Sequence, residues 1–351
     1  MKAAVYYGNK DIRLENVVEP DLVTGDAKIR VDYCGICATD LEEYLFGPQV
    51  ISKDPNPLTG QSIPMITGHE VTGTVVGIDS THTSVTLGDR VVIDGIITCG
   101  NCWWCENGQE MQCGSLACIG FQRNGGLAEY LTWPADHLIT LPDNVTSEQA
   151  ALIEPTSVAV HALHKCTIQA GTTVAIVGVG TVGMVTMQAA KAMGARVLAL
   201  DVRDNALEMA NLLGADVVIN TGSDRFNRTI QDATDGLGPD YVLDTAAGPD
   251  TAKLSIDLVR KGGIVVLVGI YTKTTTLDFN SVVLREVNVV GSVGYERQDM
   301  REAVGMVSDG NVQTKPLISD IISIDNLLDV GYKRMMSPNK DIFRILVDPS
   351  R

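Results

Sequence analysis

Four cysteines crowd into fifteen residues as Cys99-Gly-Asn-Cys102-Trp-Trp-Cys105 followed by Cys113, a C-x2-C-x2-C-x7-C pattern. In so short a loop four thiolates can close a tetrahedral shell around zinc and leave no position open to substrate, so the expected role is structural. An iron–sulfur cluster is the alternative, since it too takes four cysteines. Disulfides fit a reducing compartment poorly, and free thiols fit the spacing poorly. A metal that does chemistry needs fewer protein ligands and an exchangeable position. The residue types for one are scattered: Cys37 in Cys34-Gly35-Ile36-Cys37-Ala38-Thr39-Asp40, His69 and Glu70 in Gly68-His69-Glu70-Val71-Thr72-Gly73, and Glu154 in Ile153-Glu154-Pro155-Thr156. Singly each is weak, because a lone cysteine or histidine is more often packed in a core than bound to metal. Cys34, Cys118 and Cys166 read as small core residues. His161 and His164 read as packing or hydrogen-bonding groups, and His82 and His137 carry no partner pattern.

A second chemistry is written in Gly178-Val179-Gly180-Thr181-Val182-Gly183, a G-x-G-x-x-G string that follows an expected strand and opens an expected helix. Gly178 permits a tight turn, Gly180 lets backbone approach a pyrophosphate, and Gly183 lets helix and strand pack closely. The first helical residues, Thr181 and Val182, then offer free N–H groups to phosphate. Asp201 lies 18 residues beyond Gly183, at the end of the next strand, where a carboxylate accepts hydrogen bonds from ribose hydroxyls and repels a 2′-phosphate. That favours NAD over NADP, with Arg203 the one residue that could soften the preference.

The elements that must hold these groups differ along the chain. From Thr173 onward, short β-rich runs alternate with helical patterns: strands at Thr173–Val177, Arg196–Leu200, Val217–Ile219, Tyr241–Leu243 and Ile264–Val268, helices at Val182–Met193 and Asp204–Leu213, and helical stretches near Arg225–Ala233 and Thr251–Arg260. This is the signature of βαβ units on a doubly wound parallel sheet. The first ~150 residues read instead as short strands with Gly and Pro turns, with an irregular stretch from Phe46 to Pro64. The tail after about Val289 continues neither pattern and is expected to rejoin the first domain. The chain has 351 residues, 45% hydrophobic and 20% charged, which suits two folded domains. Its 27 Lys and Arg against 43 Asp and Glu give a net charge of −16, which argues against nucleic acid. No signal peptide or membrane span is visible, so a cytoplasmic protein is expected.

Taken in order, the Cys37 segment, Gly68-His69-Glu70, the four-cysteine lobe, Glu154-Pro155 and the glycine string resemble the zinc-dependent medium-chain dehydrogenase/reductase family along essentially the whole chain. Its polyol branch uses a carboxylate where classical alcohol dehydrogenases place a second metal-binding cysteine, and Glu154 fits that position. The resemblance implies α/β architecture: a β-rich GroES-like catalytic domain over 1–157 and 290–351, with a structural zinc lobe at 95–115, and an NAD-binding Rossmann domain over 158–289. It implies two zinc ions per chain, one structural on Cys99, Cys102, Cys105 and Cys113, and one catalytic on Cys37, His69 and Glu154 with Glu70 as alternative ligand. Asp40 would orient His69, and Thr39 would pass a proton from the substrate hydroxyl. Glu42 stands where many relatives carry a relay histidine, so Glu42 or water would take that place. The implied reaction is hydride transfer between NAD(H) and a secondary alcohol or its ketone, with a diol or polyol as substrate and Tyr295 or Arg297 as a further anchor. Sorbitol-, xylitol- or threonine-type substrates, a zinc-free enone reductase and an NAD-binding redox sensor without turnover are the alternatives. A homodimer or homotetramer is implied.

Overall fold

The structure, a computed structural model, describes residues 1–80, 84–337 and 341–351. It divides into two units, one of Met1–Glu154, Glu296–Ser308 and Thr314–Arg351, the other of Pro155–Tyr295 and Asp309–Gln313.

The first unit is built around the long strand Asp26–Gly35. One edge pairs with Glu70–Ile78, while the other is shared by Tyr130–Pro134 along its first half and Arg344–Asp348 at its end. Arg90–Ile93, Leu138–Thr140 and Ile318–Ser323 complete a seven-stranded sheet, so the chain's last segments do return to the first domain. Gly35, the last residue of the long strand, lies opposite Glu70 on one side and opposite Leu346 on the other. A separate hairpin, Ile96–Ile97 with Ala117–Cys118, forms the base of the four-cysteine lobe. The core contains Trp133, fully buried, whose indole N–H donates to the Asp94 carbonyl at 2.8 Å.

The second unit is a six-stranded, wholly parallel sheet in the order Val217–Asn220, Arg196–Asp201, Thr173–Val177, Tyr241–Asp244, Ile264–Leu267, Asn288–Gly291. Its central strands are near-continuous buried aliphatic runs, as a parallel sheet covered on both faces requires. Helices Thr181–Ala192, Asp204–Leu212, Phe226–Ala233 and Thr251–Leu258 connect them. The expected break at 289/290 falls inside the sixth strand, and the unit runs on to Tyr295. The reason is local: Asn288–Gly291 is an exposed edge strand without the buried aliphatic run that marks its neighbours.

Candidate metal centres and dinucleotide site

In the lobe, the Cys102 and Cys105 sulfurs are 3.5 Å apart, Cys113 and Cys99 3.5 Å, and Cys99 and Cys105 3.9 Å. A tetrahedron with Zn–S bonds of ~2.3 Å has S–S edges of ~3.8 Å, so the four sulfurs fit one ion at their centre rather than a multi-iron cluster. The Cys99 thiol is pulled down to about 7, first by the backbone N–H of Asn101. Trp103 and Trp104, edge to face at 4.9 Å, are exposed on the lobe's surface.

The second cluster forms at the end of the Asp26–Gly35 strand. Two residues past Gly35, Cys37 caps the helix Ala38–Phe46, and Asp40 in the first turn accepts the Cys37 backbone N–H at 3.0 Å. Glu70 lies directly across from Gly35, whose missing Cβ leaves room for the Glu70 carboxylate. Ligand atoms of Cys37, His69 and Glu70 all lie within 4.8 Å of one another. The His69 Nδ1 is 3.4 Å from Asp40 Oδ1, which leaves Nε2 as the atom turned to the cluster. Thr39 Oγ1 is 3.7 Å from Cys37 Sγ, at the edge of the site, and Glu42 is half-buried on the same helix.

Glu154 is not part of this close group. It sits in the first turn of the helix Ile153–Leu163, buried, with its carboxyl pushed up to about 7 by burial against the opposing pull of His69. The sheet register favours Glu70 because pairing with Gly35 fixes it beside Cys37, whereas Glu154 arrives on another element.

Arg344 completes the site and is not among the residues that the sequence singles out. Its guanidinium is buried, 3.1 Å from Glu70 Oε1, and donates to the Ile36 carbonyl at 2.5 Å. It is a cation opening the buried strand Arg344–Asp348, and its contrast with the aliphatic Ile345, Leu346 and Val347 is the signal available in the sequence. Among the described residues, both Glu70 carboxylate oxygens nonetheless lack a directed hydrogen bond, as do Asp40 Oδ1 and His69 Nδ1. Burial raises the Glu70 carboxyl against the opposing pull of Arg344 and His69. Burial would lower the His69 imidazole, yet Asp40 and Cys37 hold it well above its usual value. A buried pocket whose carboxylate and imidazole atoms lack hydrogen-bond partners is short of positive charge, and a divalent cation on Cys37, His69 and a carboxylate fits that deficit.

Arg297 is placed elsewhere: its guanidinium pairs with Asp94 at 3.1 Å and reaches Asp136 at 4.0 Å, next to His137. Its guanidinium is therefore already paired with carboxylates. Tyr295 is buried in the second unit. Cys34 is buried in the core, His161 is buried, and His82 lies outside the described residues.

In the second unit Gly178 takes φ +86°, the left-handed turn expected of it, and Gly180 caps the helix Thr181–Ala192 without a side-chain cap. A Cβ at Gly180 would meet nothing within 4 Å, so the space beside the helix N-terminus is uncrowded, as close approach of a pyrophosphate requires. Asp201 accepts the Val179 N–H at 2.9 Å and is gripped by Arg203 through Nε and a terminal nitrogen, both at 3.1 Å.

Comparison with known proteins agrees with this architecture. Residues 23–143 match the alcohol dehydrogenase GroES-like domain, and 181–309 match the zinc-binding dehydrogenase family. The (R,R)-butanediol dehydrogenase of Bacillus subtilis (strain 168) is 33% identical over 352 residues, covering all of both chains. The sorbitol dehydrogenase of the same organism is 30% identical, over 100% of this chain and 98% of its own. The crystal structure of Bacillus subtilis 2R,3R-butanediol dehydrogenase superposes with a TM-score of 0.91 at 31% identity, over 99% of each chain. The chain belongs to the zinc-type alcohol dehydrogenase family, whose members include polyol and diol dehydrogenases.

Proposed function

We propose that this chain is an NAD(H)-linked oxidoreductase that interconverts (R,R)-2,3-butanediol and acetoin. The observation that carries the chemistry is the convergence of half-buried Cys37 with buried His69 and Glu70 within 4.8 Å, and full-length similarity to a butanediol dehydrogenase supports the substrate. A zinc ion held by these residues would supply Lewis acidity toward a substrate hydroxyl or carbonyl. Around it the chain's own groups divide the work. Cys37, His69 and Glu70 hold the metal, with Glu154 as the neighbouring second carboxylate. Asp40 fixes the imidazole ring so that Nε2 faces the metal. The Thr39 hydroxyl takes the substrate proton and passes it outward, with Glu42 or water next in line. Arg344 holds Glu70 in place. The four cysteines of the lobe hold a second, structural zinc.

In the second unit the backbone at Gly180, Thr181, Val182 and Gly183 binds the pyrophosphate and Asp201 the adenosine ribose. Asp201 favours NAD, and Arg203, paired with it, tempers that preference. No described helix is long and apolar enough to cross a membrane. The eight free cysteines suit a reducing, cytoplasmic setting. Among the described residues, the edge strand Asn288–Gly291 is unpaired on its outer side and flanked by exposed Phe279, Val283, Leu284 and Val293, a surface suited to a second copy of the chain in a homo-oligomer.

The test is NADH formation by metal-quantified protein given NAD and (R,R)-, meso- or (S,S)-2,3-butanediol, sorbitol, xylitol or threonine. Preference for the (R,R)-diol is the expected result. Preference for sorbitol, the reading favoured by the second relative, keeps the mechanism and replaces the substrate. No turnover with two bound zinc ions would defeat both.

A further inference from the structure

The strand Tyr241–Asp244 lies beside Thr173–Val177 where the strand order of the parallel sheet reverses, and ligands of such sheets bind outside the carboxyl ends at that point. The residues leaving this strand are wired into the glycine loop. Thr245 Oγ1 donates to the Gly178 carbonyl at 2.5 Å and lies 3.3 Å from that of Val177. A Cβ on Gly178 would meet the Ala246 methyl at 2.5 Å, and one on Gly183 would meet Thr245 Oγ1 at 2.8 Å. Gly178 is thus required by contact with this turn, and Gly183 first by the Gly178 carbonyl to which Thr245 donates.

The turn is itself held in an uncommon conformation. Ala247 has φ +46°, and its N–H and that of Ala246 both donate to Asp244 Oδ1, at 3.1 and 3.0 Å. The other oxygen of this fully buried carboxylate accepts the Tyr271 hydroxyl at 2.5 Å, and Tyr271 lies on the segment that follows the strand Ile264–Leu267. Gly269 packs so closely that its Cβ would strike the Ala247 methyl. Burial and Asp244 push the Tyr271 phenol up, so it stays a donor. The ladder hydrogen bonds of the sheet use none of these side chains.

We propose that Asp244, Thr245 and Tyr271 are positioning residues for the dinucleotide: Thr245 fixes the backbone that meets the pyrophosphate, and Tyr271, acting through Asp244, fixes the loop beside the nicotinamide half. The assignment of halves comes from the sheet, in which Thr173–Asn220 carries the adenosine side and Tyr241–Gly291 the other mononucleotide half. The proposal rests on the NAD(H) reading above.

The test titrates the full-length, zinc-loaded protein with NADH and with ADP-ribose, which keeps the pyrophosphate and lacks nicotinamide. Thr245→Val is expected to weaken both ligands about tenfold, the cost of one buried hydrogen bond lost from a binding loop. Thr245→Ser, which keeps the hydroxyl, is expected to restore both. Tyr271→Phe is expected to weaken NADH about tenfold while leaving ADP-ribose within about twofold, and to raise KM for NAD with little change in kcat. Unchanged NADH affinity in Thr245→Val and Tyr271→Phe, or Thr245→Ser binding as poorly as Thr245→Val, overturns the proposal. Equal weakening of both ligands in Tyr271→Phe overturns the division between halves. A wild-type protein that binds no NADH overturns the NAD(H) reading itself and the proposal with it, a result distinct from the variants' failure.

Discussion

Arg344 and Glu70 face each other inside the first unit, a guanidinium nitrogen 3.1 Å from a carboxylate oxygen, and neither is more than 3% exposed. The two residues are 274 positions apart, joined only because Gly35 pairs with Glu70 on one side and with Leu346 on the other. Removing one member of a buried ion pair leaves a bare charge in a poorly solvating interior. Arg344→Met is therefore expected to cost about 3–5 kcal/mol of stability in the metal-free protein, read from urea unfolding. A loss below about 1 kcal/mol would show that Glu70 finds another partner or is neutral there.

The two buried carboxylates are separable by metal analysis. Because Glu70 and not Glu154 stands within ligand distance of Cys37 and His69, Glu70→Gln is expected to retain about one zinc per chain, that of the four-cysteine lobe, and to lose turnover. Glu154→Gln is expected to keep about two. The reverse pattern would give the ligand role to Glu154.

Arg203 closes over Asp201 through two nitrogens, so it partly neutralises the carboxylate that sets cofactor choice. Freed of it, Asp201 repels a 2′-phosphate more strongly. Arg203→Ala is expected to lower kcat/KM with NADP about tenfold while NAD is held within about threefold, measured in parallel initial-rate assays. A gain with NADP would mean that Arg203 hinders the phosphate rather than tolerating it.

Asp216 gives a pH-dependent handle outside either site. Burial would raise its carboxyl, but Lys191 at 2.7 Å and the Val197 N–H at 2.7 Å outweigh that and hold it below the ordinary value. A carboxyl lowered in the folded state stabilises the protein above its unfolded pKa of about 3.9, and the contribution fades as pH falls through the folded value. The stability gap between wild type and Asp216→Asn is thus expected to be about 1 kcal/mol and flat from pH 7 to 5, narrowing below about pH 4. Urea midpoints at those values check it, and a gap that widens with acid would reverse the sign.

The parallel sheet was readable because its strands are unbroken aliphatic runs and its helices end at glycines such as Gly194 and Gly214, features that local physics imposes. Its sixth strand, Asn288–Gly291, escaped because an exposed edge needs no such run. The cysteine lobe was legible because its ligands are close in sequence. At the other centre residue types could be named, but that Glu70 lies beside Cys37 and His69 depends on the Gly35 register, which is a long-range pairing. Arg344 leaves only a local signal, a cation beside three buried aliphatics, while its pairing with Glu70 is long-range, and nothing near Arg297 in sequence shows that Asp94 pairs with it.

The two metal centres differ in how much chain must come together before each exists. The lobe draws its sulfurs from Cys99–Cys113, a loop that closes in microseconds or faster, while the other centre waits for strands far apart in sequence to pair around Gly35. Refolding in limiting zinc should then fill the centres in that order, with the lobe capturing metal before the site that uses it has formed. A stopped-flow chelator competition that shows one fast and one slow uptake phase would record this sequence of events. Simultaneous uptake would mean that the long-range pairing is already present in the collapsed chain.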